Sequence, residues 1–191
     1  MPTPIILCSA LLAAWLLLAS WTDLRQRRIP NALVLTGMLC GMALQSLTTP
    51  GQGLFAFWWG GLGWAQGLFG LLAGLALFMP LHLLRTVGAG DVKLFAMVGV
   101  WLGPQLLLGT TLLTLLAGGL MALAIMFARR STRSVLANVR SMLITAMVGA
   151  HAGKLTAFDS SLTASVRMPY AMAIAAGTLI HVGWLLAHAA P

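Results

Sequence analysis

The chain has 191 residues, of which 60% are hydrophobic and 7% charged, whereas a soluble domain carries about 25% charged side chains. That leaves too little polar surface to cover a soluble globule, and disorder requires the opposite composition. An all-α integral membrane protein, one domain over residues 1–191, is therefore predicted. Eleven Lys and Arg against three acidic residues give a net charge of +8. The basic residues lie in short stretches between apolar runs, as in loops held on the cytoplasmic side against anionic lipid. No basic domain is present to hold a nucleic acid.

The first apolar run, Ile5 to Trp21, is followed at once by Asp23-Leu-Arg-Gln-Arg-Arg28. A secretory signal carries its positive charge before the apolar core; here it comes after, which predicts a retained helix entering from outside, with residues 23–30 in the cytoplasm. Pro30 suits the first turn of a second helix, which returns over Ala32 to Leu47 to the uncharged turn sequence Thr48-Thr-Pro-Gly-Gln-Gly53. Leu54 to Leu84 exceeds one span of about 20 residues. The cluster Trp58, Trp59 and Trp64 reads as an interfacial lead-in, and the span proper as Trp64 to Leu84.

After the loop Thr86-Val-Gly-Ala-Gly-Asp-Val-Lys93, an uncharged stretch runs from Leu94 to Phe127, interrupted by Gly103-Pro104. Pro disfavours helix at the residue before it, so two helices are predicted. The first, about residues 91–102, covers only about 18 Å at 1.5 Å per residue, short of the roughly 30 Å hydrocarbon core, and reads as a partial span. Arg129, Arg130, Arg133 and Arg140 mark another cytoplasmic stretch, in which Val135, Leu136, Val139, Met142, Leu143, Ala146 and Met147 recur at helical spacing as in an interfacial amphipathic helix. Met168 to Ala187 is the last span. The reading is about six transmembrane helices with both termini outside. Gly37/Gly41, Gly63/Gly67 and Gly70/Gly74 permit close helix contact.

Candidate chemistry follows from where the aspartates lie. An ionisable group at the bilayer is costly and reads as functional by default. Asp23 follows the first span and Asp91 precedes the fourth, both at the cytoplasmic boundary. Gly88-Ala-Gly90-Asp91 is a loop in which glycine lets backbone approach closely or adopt positive φ, and Asp91 also suits a helix N-cap. Two facing carboxylates about 3 Å apart cannot both ionise readily and share a proton. The ionised member takes a proton from water, and the protonated one supports the attacked carbonyl.

Asp23-x5-Ile29-Pro30-Asn31 after a first span, with Gly88-Ala-Gly90-Asp91-Val-Lys93 later and Pro169-Tyr170-Ala-Met-Ala-Ile174 opening the last span, resembles the type IV prepilin peptidases. These are GxGD aspartic proteases of the bacterial inner membrane. The resemblance implies catalytic roles for Asp23 and Asp91, an active-site loop shaped by Gly88 and Gly90 with Lys93 beside it, and a structural motif in Ile29, Pro30 and Asn31. It implies removal of a membrane-inserted prepilin leader at the cytoplasmic face, with no cofactor or metal. Longer members carry a Cys-rich zinc domain and methylate the new N-terminus. This chain has two cysteines, Cys8 and Cys40, both within apolar runs. It resembles the short form associated with Flp-type (tight-adherence) pili, to which N-methyl transfer is not carried over.

The competing class is a small proton or cation channel or transporter using Asp23 and Asp91, although such sites usually lie near the midplane between repeats and no repeat is visible. Asp159 reads as a loop residue or cap. His82, His151, His181 and His188 lack metal-ligand spacing, the two thiols read as free small hydrophobes, and the tryptophans read as interface anchors.

Overall fold

The computed structural model describes residues 3–47, 63–84, 86–128 and 170–188, all of them helical apart from short connections. The helices are α1 (Thr3–Gln26), α2 (Asn31–Leu47), α3 (Trp64–Leu83), α4 (Ala89–Ala128) and α5 (Tyr170–His188). Two compact units are present: residues 1–118 with 169–191, and residues 119–168. The described part of the second unit, 119–128, is helical. The amphipathic helix anticipated near residues 135–147, together with Asp159, Trp58, Trp59 and His151, lies outside the described residues.

Among the described residues, four helices are long and apolar enough to cross a bilayer, Leu7–Gln26, Trp64–Leu83, Ala89–Ile125 and Tyr170–His188, and Asn31–Leu47 is apolar but shorter. The fold is thus all-α with several membrane-crossing helices. Large apolar side chains on their outer faces are open, Leu47 at 82% and Leu112 at 69%, as lipid-facing positions are.

The anticipated interruption is present. Gly103 has φ 74° and ψ 169° and breaks α4 into arms of 89–102 and 104–128. The first arm is the centre of the first unit. Val92 and every residue from Leu94 to Gly103 are buried, so this arm is enclosed on all sides. That explains how a helix too short to cross is accommodated: its length from Leu94 to Gly103 meets protein rather than hydrocarbon, where irregular backbone is permitted. Pro104 has no N–H for the carbonyl of Val100. Gln45 of α2, itself buried, supplies the donor, its Nε2 lying 3.3 Å from the carbonyls of both Val100 and Trp101.

Glycine makes the enclosure possible. A Cβ at Gly70 of α3 would collide with the backbone carbonyl of Gly99, and one at Gly74 would stand 2.8 Å from the Cα of Ala96. On α2, Gly41 makes room for Trp101 and Gly37 for Met97 and Trp15; the Trp101 indole N–H donates to the Gly37 carbonyl at 2.9 Å and its ring tilts against Trp15. Trp101 is fully buried, and the interface-anchor reading is corrected for it. Trp21, with the Arg25 guanidinium 4.7 Å over its ring, and Trp64 and Trp184 are exposed.

The same substitution should therefore act with opposite sign at two glycines. Gly70→Ala forces two backbones apart and is expected to lower stability in detergent by about 1–3 kcal/mol. Gly183→Ala, whose new methyl meets nothing within 4 Å, is expected to be neutral or to stabilise by up to about 1 kcal/mol through helix propensity. Thermal unfolding of the two purified variants checks both.

Candidate active site

Asp23 lies in the last turn of α1, which continues beyond the apolar run instead of ending before the acid. Cys8, Leu12, Leu16, Ala19 and Ser20 form the buried stripe of α1, and three more residues bring Asp23 onto that face. The helix closes at Arg27, which takes a left-handed φ of 52° and donates its N–H to the Asp23 carbonyl at 2.8 Å. This is the αL ending usually occupied by glycine. Pro30 then stands one position earlier than anticipated, as the cap of α2: its carbonyl accepts from the N–H groups of Leu33 and Val34.

Asp91 is not the N-cap of α4. Gly88 fills that position, its carbonyl accepting from the N–H groups of Asp91 and Val92, and Asp91 lies in the first turn with Oδ2 accepting the Gly88 N–H at 3.2 Å. The side chain thus reaches back over the helix start as the acidic half of a capping box does. A negative charge there also meets the positive end of the helix dipole. Neither Gly88 nor Gly90 takes a positive φ, since among the described residues only Gly63, Gly103 and Arg27 do. Their smallness has another use. A Cβ at Gly88 would press on Asp91 Oδ2 at 3.1 Å, whereas one at Gly90 would meet Ile29 at an ordinary 3.6 Å.

The two sequence motifs come together along their length. Asp23 and Asp91 are close enough for their charges to interact directly. Ile29 lies over Gly90, and Lys93 donates from Nζ to Asn31 Oδ1 at 3.1 Å on an exposed edge. Every candidate site residue read from the sequence therefore belongs to one end of the first unit.

The start of α5 completes the arrangement, and sequence spacing alone does not show how. The backbone N–H of Ala171 is near enough to the Asp23 carboxylate to favour its charge, while Ser20 Oγ, 3.3 Å from the Ala171 carbonyl and 2.8 Å from that of Leu16, donates toward both. Ala171 of α5 thus faces α1 through both of its backbone polar groups. Ser20 was legible only as a polar residue one turn before Asp23. The ring of Tyr170 meets Phe78 edge-on at 6.2 Å, Phe78 stacks on Phe95 at 3.9 Å, and Phe95 is one turn beyond Asp91 on the same arm. The Asp91 charge also acts on the Tyr170 phenol.

Away from this end, His82 Nδ1 lies 3.0 Å from the Val87 carbonyl, His188 Nδ1 2.8 Å from that of Trp184, and His181 Nδ1 2.8 Å from Thr110 Oγ1. Among the described residues no three His, Cys, Asp or Glu side chains gather as a metal ion requires. Cys8 and Cys40 carry free thiols.

Two carboxylates at one end of a helical membrane unit are the groups a membrane aspartic peptidase requires. The sequence model of the type IV leader peptidase family matches residues 10–123, more than half of the chain and enclosing both motifs. The chain belongs to this family, and it is a prepilin peptidase, an aspartic endopeptidase. No curated protein and no solved structure gives a significant match.

The glycine geometry separates two variants. Gly90→Ala is expected to leave stability within about 0.5 kcal/mol of wild type, because its methyl finds ordinary contact. Gly88→Ala displaces the Asp91 carboxylate and is expected to reduce leader cleavage about tenfold at similar stability. Thermal unfolding and a gel-based cleavage assay read both.

Proposed function

We propose that Asp23 and Asp91 are the catalytic dyad, working at the cytoplasmic face of a bacterial inner membrane on the inserted leader helix of a type IV prepilin of the Flp type. The convergence of the two carboxylates, brought from helix ends 68 positions apart in the chain, is the observation that carries this reading. The excess of Lys and Arg in the connections supports the orientation. We take the whole chain as one peptidase domain of about six spans, α2 and the two arms of α4 each counted among them, with prepilin and lipid as its partners and no nucleic acid. Gly88 and Gly90 shape the loop, Lys93 braces it through Asn31, and Ile29 and Pro30 set the turn between α1 and α2.

In the reaction one carboxylate is ionised and the other protonated, because the charge of each opposes ionisation of the other. Water bound between them gives its proton to the ionised member, and its oxygen attacks the scissile carbonyl carbon. The protonated member hydrogen-bonds the carbonyl oxygen as negative charge develops. The tetrahedral intermediate then collapses: the C–N bond breaks, the nitrogen takes a proton from the dyad, and the leader leaves as a carboxylic acid. The apparent pKa values belong to the pair. Activity therefore falls at acid pH, where both members are protonated, and at alkaline pH, where both are ionised.

Asp23→Asn and Asp91→Asn keep side-chain shape while removing the shared proton chemistry. Each is expected to reduce prepilin cleavage by at least about 10³-fold with wild-type accumulation in the membrane, read by co-expression with a Flp-type prepilin and immunoblotting. Wild-type cleavage by either variant overturns the assignment. Proton flux in reconstituted vesicles without peptidase activity would point to the channel or transporter class instead.

A further inference from the structure

The mechanism above leaves one polar group at the site without a task. Tyr170 is the sole tyrosine of the chain, and among the described residues its hydroxyl makes no hydrogen bond. Its position is nevertheless set on three sides. The carbonyl of the next residue, Ala171, accepts from Ser20 Oγ of α1 at 3.3 Å. Its ring is held edge-on by Phe78, which stacks on the Phe95 ring one turn from Asp91. Its outer edge lies on Gly118, where a Cβ would stand 3.3 Å from the phenol oxygen. The last contact has a register behind it: Gly118 faces Tyr170, Thr114 faces Gly177, and Thr110 faces His181, so α4 and α5 run antiparallel with the phenol at the dyad end.

Tyr170 is half-buried, and a tyrosine with its ring packed in protein keeps its O–H as a polar handle for a partner at the wet end of the site. This one is fixed beside Asp91, near enough to feel its charge, yet not bonded to it. A peptide carbonyl entering the dyad is the acceptor that satisfies both donors, the protonated carboxyl and the phenol. We propose that Tyr170 is a substrate-contacting residue whose hydroxyl donates to the scissile carbonyl oxygen, and donates more strongly as that oxygen gains charge. The phenol keeps its proton throughout, so the proton balance of the dyad is unchanged. The inference rests on the assignment of Asp91 to the dyad.

Tyr170→Phe removes the hydroxyl and keeps the ring on Phe78 and Gly118. Loss of one donor to a developing oxyanion typically lowers kcat about 10²-fold. The expected result with purified enzyme and prepilin in detergent is therefore a fall of about that size in kcat, with KM within about threefold of wild type and the thermal unfolding temperature preserved. Gly118→Ala, which pushes the phenol oxygen, is expected to lower kcat in the wild-type background and to cost much less when combined with Tyr170→Phe. Wild-type kcat in Tyr170→Phe, a change confined to KM, or full additivity of the two substitutions would overturn the proposal. Asp91→Asn in the same assay separates the two claims: if it is inactive while Tyr170→Phe is unaffected, only the role of Tyr170 falls, and if it is active, the dyad falls.

Discussion

The approach of two carboxylates at the end of an apolar helical unit is the constraint around which the rest is arranged. Two like charges near each other in a low-dielectric setting repel strongly, and nothing in the side chains of Asp23 and Asp91 makes them stay. Backbone groups offset the repulsion. Asp91 accepts from the Gly88 N–H at the start of α4, and the Ala171 N–H at the start of α5 favours the charge of Asp23. Each carboxylate thus faces a helix N-terminus, where unpaired N–H groups and the positive end of the helix dipole favour negative charge. Asp23 needs this most, because it sits at the unfavourable C-terminal end of its own helix.

Holding those helix starts in place is the task of the central arm of α4. Its burial from Leu94 to Gly103 means that the position of Asp91 is set largely by how the arm is seated: Trp101 on α2, Gly99 and Ala96 against the glycines of α3, Phe95 under Phe78. A longer helix would cross the bilayer but would not turn back to meet α5. The break at Gly103-Pro104 permits the return, and its cost is an unpaired carbonyl at Val100, which Gln45 satisfies. A polar residue near the C-terminal end of α2 therefore supports geometry at the opposite end of the same arm.

Much of this was legible in the sequence, for physical reasons that differ from residue to residue. Apolar runs and the Gly-Pro interruption are local signals, so the helices and the break of α4 were readable, and the scarcity of carboxylates singled out Asp23 and Asp91. Hydrogen bonding at helix ends depends on which residue caps, and there the reading was off by small steps: Asp91 lies three residues inside its helix start, and Pro30 caps α2 where first-turn placement was anticipated. The roles of Ser20, Gln45 and Trp101 depend on contacts between residues 55 to 151 positions apart, which no periodicity encodes. The glycines illustrate the same limit. Their number marked close packing, but only the structure separates Gly70, which admits no methyl group, from Gly183, which has open space.

A last consequence concerns how the end of α1 is finished. A glycine at position 27 would close the αL ending without the penalty of about 1 kcal/mol that an L side chain meets there, yet the chain places an arginine. Arg25, Arg27 and Arg28 then form a cationic collar directly after Asp23. The collar lies past the apolar run, where bilayer anchoring by Lys and Arg is strongest. Strain at one backbone position is thus exchanged for a fixed depth of the last turn of α1. Because Asp23 is on that turn and Ser20, one turn earlier, holds the Ala171 carbonyl, whatever positions the end of α1 also positions the start of α5 and what α5 presents to Asp91.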